Sequence, residues 1–363
     1  MRILATLAAA VLIMAAPQAQ AEDNGLVGLE RIIAAWLDSP HGDYHSRSFT
    51  YWNADGAVPE ACAVCHSETG FLDYLGSDGS EPGSVHRPGA INSPIGCASC
   101  HTAEAHALDA VTFPVGETID GLGMNATCNV CHGGRQSGEA VSSRVDGLDL
   151  DAVDAELSFV NIHYGPAAAV TLGAEVTAGF QYEGRRYAGR FMHVPAAATC
   201  SDCHSPHSTG LSEAVVEGCV ACHQDGADDL RAIRTQHTDF AGTGDRSGGI
   251  HSEIVALEAQ LFDAIRLYAE EVAGTPIAYG GAFPYFFVDQ DGSGAATGEA
   301  LSRDNRYQAF TPRLLKAVYN YQVARKSPGG YVHNPRYMLQ ILHDSLADLA
   351  EAVEIDVSGI SRP

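Results

Sequence analysis

All ten cysteines of this 363-residue chain fall in five copies of one pattern, Cys-x-x-Cys-His. The copies are CAVCH (Cys62, Cys65, His66), CASCH (Cys97, Cys100, His101), CNVCH (Cys128, Cys131, His132), CSDCH (Cys200, Cys203, His204) and CVACH (Cys219, Cys222, His223). Two cysteines three positions apart share one face of a helical turn, and a histidine one place on joins that face. This arrangement bonds two thiols to one porphyrin and brings an imidazole to its iron. Ten cysteines in an exported chain would ordinarily suggest a disulfide framework, and paired C-x-x-C knuckles also hold zinc. Neither requires a histidine at the same offset five times. The pattern therefore predicts five covalently bound haem c groups, all attached between residues 62 and 223. Groups so crowded must supply much of their own core. The expected fold is mainly α with much irregular loop: a haem-packed region of short motif-bearing helices, little sheet, and long helices at the C-terminal end. The stretch FQYEGRRY, residues 180–187, reads as a hairpin turning at Glu183-Gly184.

The chain opens MRILATLAAAVLIMAAPQAQA, with Arg2, an apolar run and a small-x-small ending at Ala21. This predicts a secretory signal peptide over 1–21 and a periplasmic or extracellular location. The apolar run is too short to cross a bilayer comfortably, so no stable membrane insertion is expected. The formal net charge is −24. Phosphate neutralisation needs Lys and Arg, so this acidity argues against nucleic-acid binding. It favours solubility and the steering of basic partners.

Each predicted iron needs a sixth ligand. Beyond the leader only Met124, Met192 and Met338 remain, too few for five sites. Sixteen histidines less five in the motifs leave eleven, enough for five bis-histidine sites. Without the potential-raising methionine, such haems are comparatively reducing. His163, in FVNIHYGPAA, has the apolar and aromatic flanks that suit a ligand entering a haem core.

The tandem CSDCHSPHS … CVACH resembles the doubled modules of multihaem c-type cytochromes, and the resemblance implies several further ligands. In those modules the second histidine of a C-H-x-P-H run serves a neighbouring haem, and His207 occupies that position. The three-residue spacing of His204 and His207 suggests that both lie on nearly one helical turn. His193 precedes the fourth motif, as distal ligands often do in that family. The tail YNYQVARKSPGGYVHNPRYMLQILHDSL, 319–346, resembles the final helical region of multihaem cytochromes, nitrite- and hydroxylamine-processing relatives included. There His-Asn-Pro opens a long helix, which implies a ligand role for His333. Pro335 suits a first helical turn. At the N-terminal end DSPHGDYHS offers His41 and His45, and overall resemblance favours His41. His45, His86 and His106 are reserves.

From residue 224 onward there is no cysteine. The divisions read from the sequence are 1–21, the pentahaem region 22–232, and a haem-free helical region 233–363 packing on it. Apolar residues at helical spacing predict a helix over 249–274, with others over 303–326 and 335–353, the last capped by Asn334. In FFVDQDGSGAATGEA, residues Asp289, Asp291 and Ser293, with Gly294, match the opening of an EF-hand calcium loop. The twelfth position is Ala300 rather than Glu, so calcium and a plain acidic turn both stay open.

Three function classes compete. An electron carrier would use five six-coordinate haems to link redox protein partners, such as a membrane quinol-oxidising complex or other cytochromes. A reductase of nitrogen or sulfur oxyanions would need an open iron position. The chain lacks the C-x-x-C-Lys motif by which nitrite-reducing relatives often announce one, which makes an enzyme the less favoured reading. A homo-oligomer or extracellular filament would take a ligand from a neighbouring chain.

Overall fold

The computed structural model describes residues 18–226 and 229–363, so residues 1–17 of the expected signal peptide lie outside the described residues. Helix α1 runs Gln18–Leu37 and is followed by the single turn α2, Arg47–Thr50. Short helices carry the motif region: α3 Glu60–His66, α4 Glu68–Leu75, α5 Ala98–His101, α6 Ala103–Ala107, α7 Asn125–His132, α8 Gly138–Val145, α9 Ala167–Leu172, α10 Cys200–Cys203 and α11 Glu213–Cys222. The tail holds α12 Ile250–Glu271, α13 Pro312–Lys326, α14 Gly330–His333 and α15 Pro335–Leu349. Among the described residues, sheet is confined to an antiparallel pair, β1 Val111–Thr112 with β2 Thr118–Ile119, and a three-stranded sheet. In the latter β3, Ile277–Gly280, lies between β4, Phe286–Val288, and β5, Ala295–Ala296. The fold is thus mainly α with much loop. No described helix is long and apolar enough to cross a membrane.

The tail is built around α13. Its buried residues occur on every face, including Leu314, Val318, Tyr319 and Val323. A helix buried all round must satisfy its polar side chains internally. Asn320 does so by donating to the Phe180 carbonyl at 3.0 Å and Ser345 Oγ at 3.0 Å, and by accepting the Phe180 N–H at 2.7 Å. Against α13 pack Leu257, Leu261, Ile265 and Tyr268 of α12, and Ile341, Leu342 and Leu346 of α15. The same cluster takes in Val111, Phe113, Leu122, Ala126, Val160 and Ile162 from the motif region. The tail and that region therefore share one apolar core, so side-chain packing contributes there alongside any haem contacts.

Two expected elements differ. Residues 180–187 turn at Glu183-Gly184, where Gly184 has φ +73°, but no strand flanks the turn. The backbone that would have laddered is bound by side chains instead: Asn320 takes Phe180, and Tyr187 Oη accepts the Tyr182 N–H at 3.0 Å. The helix expected from 303 begins at Pro312, because Thr311 Oγ1 accepts the Leu314 N–H at 3.1 Å and proline occupies the first turn. Helix α15 starts in the same way, with Asn334 Oδ1 accepting the Tyr337 N–H at 3.1 Å.

The end of the chain is clamped by Asp344, whose side chain is 1% exposed and takes Arg362 Nε at 2.8 Å and His343 Nδ1 at 3.0 Å. Burial alone would raise its pKa, but hydrogen bonds from His343, Arg362 and Tyr187 hold it down at about 2. The folded value lies below the ordinary 3.8, so the carboxylate's stabilisation is complete above that value and is lost as pH falls from about 4 to about 2. Asp344→Asn should lower stability at neutral pH and flatten the acid limb, as read by denaturation midpoints against pH. An unchanged acid limb would contradict this assignment.

Candidate metal centres

Each Cys-x-x-Cys-His motif lies at the end of a short helix. The first ends α3, the second spans α5 with Cys97 as its N-cap, and the third ends α7. The fourth and fifth form the last turns of α10 and α11, with His204 and His223 as C-caps. Local capping sets these lengths: Asp202, inside the fourth motif, accepts the Thr199 N–H at 2.7 Å, and Ser212 caps α11 through the Val215 N–H. None of the ten cysteines is paired with another in a disulfide.

The five motif histidines each face a second histidine. Ring centres are 5.8 Å apart for His66 and His163, and 6.3 Å apart for His132 and His41. They are 6.3 Å apart for both His101–His207 and His204–His333, and 6.0 Å apart for His223–His193. Two imidazoles bound in line through one metal, each with a nitrogen about 2 Å from it, have centres about 6 Å apart. The donor set and spacing therefore fit an iron between each pair. A cavity of about 440 Å³ lined by Ala61, Val64, Tyr74 and Val130 opens between α3 and α7, beside the first and third motifs.

Orientation of the motif histidines comes from backbone carbonyls that the sequence did not reveal. His66 Nδ1 donates to Ser48 O at 2.9 Å, His132 Nδ1 to Gly165 O at 2.7 Å, and His204 Nδ1 to Thr209 O at 2.9 Å. Each bond places the proton on Nδ1 and leaves the Nε2 lone pair free to ligate. Burial favours the neutral form, which a ligand needs, at three of the facing residues, His163, His333 and His41. Desolvation lowers the His163 and His333 pKa values to about 4, helped by His66 and by His204 respectively. It also lowers that of His41, with His132 adding to the effect. His333 Nδ1 is buried without a hydrogen-bond partner.

The remaining histidines are placed differently. His106 also approaches His101, at 6.2 Å, but with ring planes at 84° against 15° for His207. His45 stacks on Tyr44, His86 Nδ1 is held by buried Asp73, His251 packs on Tyr331, and His343 is held by Asp344. His204 and His207 are not on a helix. His204 leaves the helical region at ψ 127°, and the chain turns back so that the Ser205 N–H reaches Gly210 O at 2.8 Å. The turn sends the two imidazoles to different partners.

In the acidic loop between β4 and β5 the carboxylates are engaged by the loop's own backbone and by Arg266. Asp289 is turned inward, accepting the Gly292 and Gly294 N–H groups at 3.0 and 2.8 Å with Arg266 3.6 Å away. The Asp291 carboxylate accepts the Ser293 N–H at 3.0 Å, and the Ser293 hydroxyl donates to Ala295 O. Arg266 supplies the positive charge, and no cluster of three or more His, Cys, Asp or Glu suited to a metal ion occurs among the described residues.

Two curated relatives are polyhaem cytochromes of Geobacter sulfurreducens. The chain is 25% identical over 402 aligned positions to the C-type polyheme cytochrome OmcB, covering 91% of this chain and 49% of OmcB. It is 26% identical over 372 positions to the C-type polyheme cytochrome OmcC, covering 86% and 45%. The chain thus spans about half the length of the curated relatives it matches. No family model and no solved structure matches it. Together with its motifs, this similarity supports a multihaem c-type cytochrome and implies covalently bound haem c.

Proposed function

We propose that this chain is an exported pentahaem cytochrome that carries electrons through five closely spaced bis-histidine haems. The observation behind this reading is that every motif histidine faces a second histidine of the same chain at 5.8–6.3 Å. Haem supplies the one-electron chemistry. The cysteines would attach it, and His66, His101, His132, His204 and His223, paired with His163, His207, His41, His333 and His193, would hold its iron. A reductase needs an open position, and none of the five motif histidines lacks a facing partner. A filament sharing ligands between chains would leave a motif histidine unpartnered within its own chain. Both alternatives are therefore less well supported than the carrier.

The carrier exchanges electrons with other redox proteins in the periplasm or outside the cell, a location that rests on the leader at 1–21. The charge of −24 steers basic partners toward it. His207→Met should leave all five haems attached and raise the potential of the haem on the second motif, because methionine ligation raises haem potentials. Redox titration checks this, and potentials that do not move would remove His207 from the ligand set.

A further inference from the structure

We infer that the third motif is a junction: the first motif communicates with the rest of the molecule through it, rather than through the second motif that follows in sequence. The inference rests on the haem assignment above and concerns how this chain arranges its motifs.

The thiols approach one another across motifs in an order that is not the order of the sequence. Cys65 of the first motif is in side-chain contact with Cys131 of the third, and Cys131 Sγ lies 3.7 Å from Val64 O. Cys128 of the third motif contacts Cys200 of the fourth, where Asn125 Oδ1 at the start of α7 accepts the Cys200 N–H at 2.8 Å. Cys100 of the second motif has Cys128 as a charge neighbour, and Cys203 of the fourth has Cys219 of the fifth. Val64, Val130 and Cys131 also pack on one small cluster, Phe71, Leu75 and Ala105. Because the thiols are the attachment points, these contacts bring the groups of the first, second and fourth motifs toward the group of the third.

A strap reinforces the link between the first and third motifs. His163 faces His66 of the first, while Gly165, two residues on, accepts the proton of His132 of the third. The strap has unusual backbone geometry. His163 has φ +77°, a conformation that non-glycine residues hold only when their surroundings enforce it. Gly165 has φ +62°, and a Cβ there would come within 3.3 Å of His132 Nδ1. One three-residue segment therefore positions a ligand of the first site and orients a ligand of the third. The turn at 204–207 does the same for the fourth and second sites, through His333 and His101.

The test is a cycle of ligand variants in the holoprotein, which keeps every attachment cysteine. His163→Met marks the first site, His41→Met the third and His207→Met the second. Intact mass and the raised potential of each single variant check the haem assignment itself. Fewer than five haems, or no raised potential, would overturn that assignment rather than the junction. With the assignment standing, potentials in His163→Met/His41→Met should be non-additive, because an electron on one site opposes reduction of its neighbour. Those in His163→Met/His207→Met should add more closely. Equal or reversed coupling would overturn the junction. A kinetic arm uses His163→Met as an electron sink after flash reduction. Adding Cys97→Ala/Cys100→Ala should leave filling of the sink unslowed, while adding Cys128→Ala/Cys131→Ala should slow it at least about tenfold, equivalent to about 1.4 kcal/mol of barrier. A tenfold slowing on loss of the second motif would equally contradict the proposal.

Discussion

Replacing His333 by alanine should leave five haems attached and open one of them to an added ligand. The reduced variant is expected to bind one carbon monoxide per molecule, and the parent none. His333 faces His204 at 6.3 Å from the end of α14, and its pKa near 4 keeps it neutral at ordinary pH. Its Nδ1 is buried with no hydrogen-bond partner among the described residues, an arrangement that costs about 1–3 kcal/mol for a polar group. Helix α15 should survive the change, since it is started by Asn334 and Pro335 rather than by His333. A variant that binds no carbon monoxide would show that the fourth site takes its sixth ligand elsewhere.

The largest stability effect is expected at Arg313. Its guanidinium, only 6% exposed, donates to Asp151 at 2.8 Å from α13 and to Asp348 Oδ1 at 2.8 Å on α15, and also reaches Glu351. Burial works against its charge, but these carboxylates hold it firmly protonated. Tyr268 of α12 joins the cluster by donating to Asp151 at 2.7 Å. Three tail helices and the loop at 151 are thus tied at one point. Arg313→Ala strands Asp348, whose pKa burial already raises to about 6 despite the arginine. Removing one partner of a buried ion cluster costs about 3–5 kcal/mol, read as a fall in the denaturant midpoint. The control is Glu351→Gln: this carboxylate is 70% exposed, and exposed pairs contribute only about 0–1 kcal/mol. Equal losses from the two variants would contradict this reading of the cluster.

How much of this was legible in the sequence depended on whether the signal was local. The attachment motifs were fully visible, because their residues lie within five positions of one another. The three long tail helices were visible through apolar periodicity, although the start of α13 was misplaced. The Thr311-Pro312 pair that fixes it is a start signal that the periodicity overran. Strands β3, β4 and β5 escaped because they are two to four residues long, too short to display alternation. Supply of distal histidines could be counted, resemblance named four of them and apolar flanks a fifth, but which one faces which motif could not be read. His163 meets the first motif and His41 the third because loops fold back across the helices, and no local pattern records that. The carbonyls of Ser48, Gly165 and Thr209 were invisible for a simpler reason: every residue has one.

In the proposed carrier two histidines close each of the five irons. Low-temperature EPR of the fully oxidised protein, with spins counted against total haem, tests this. Only low-spin ferric signals are expected, summing to five per chain. A high-spin signal amounting to one haem or more would contradict it and move the open site, with its capacity for substrate, to the centre of this protein's function.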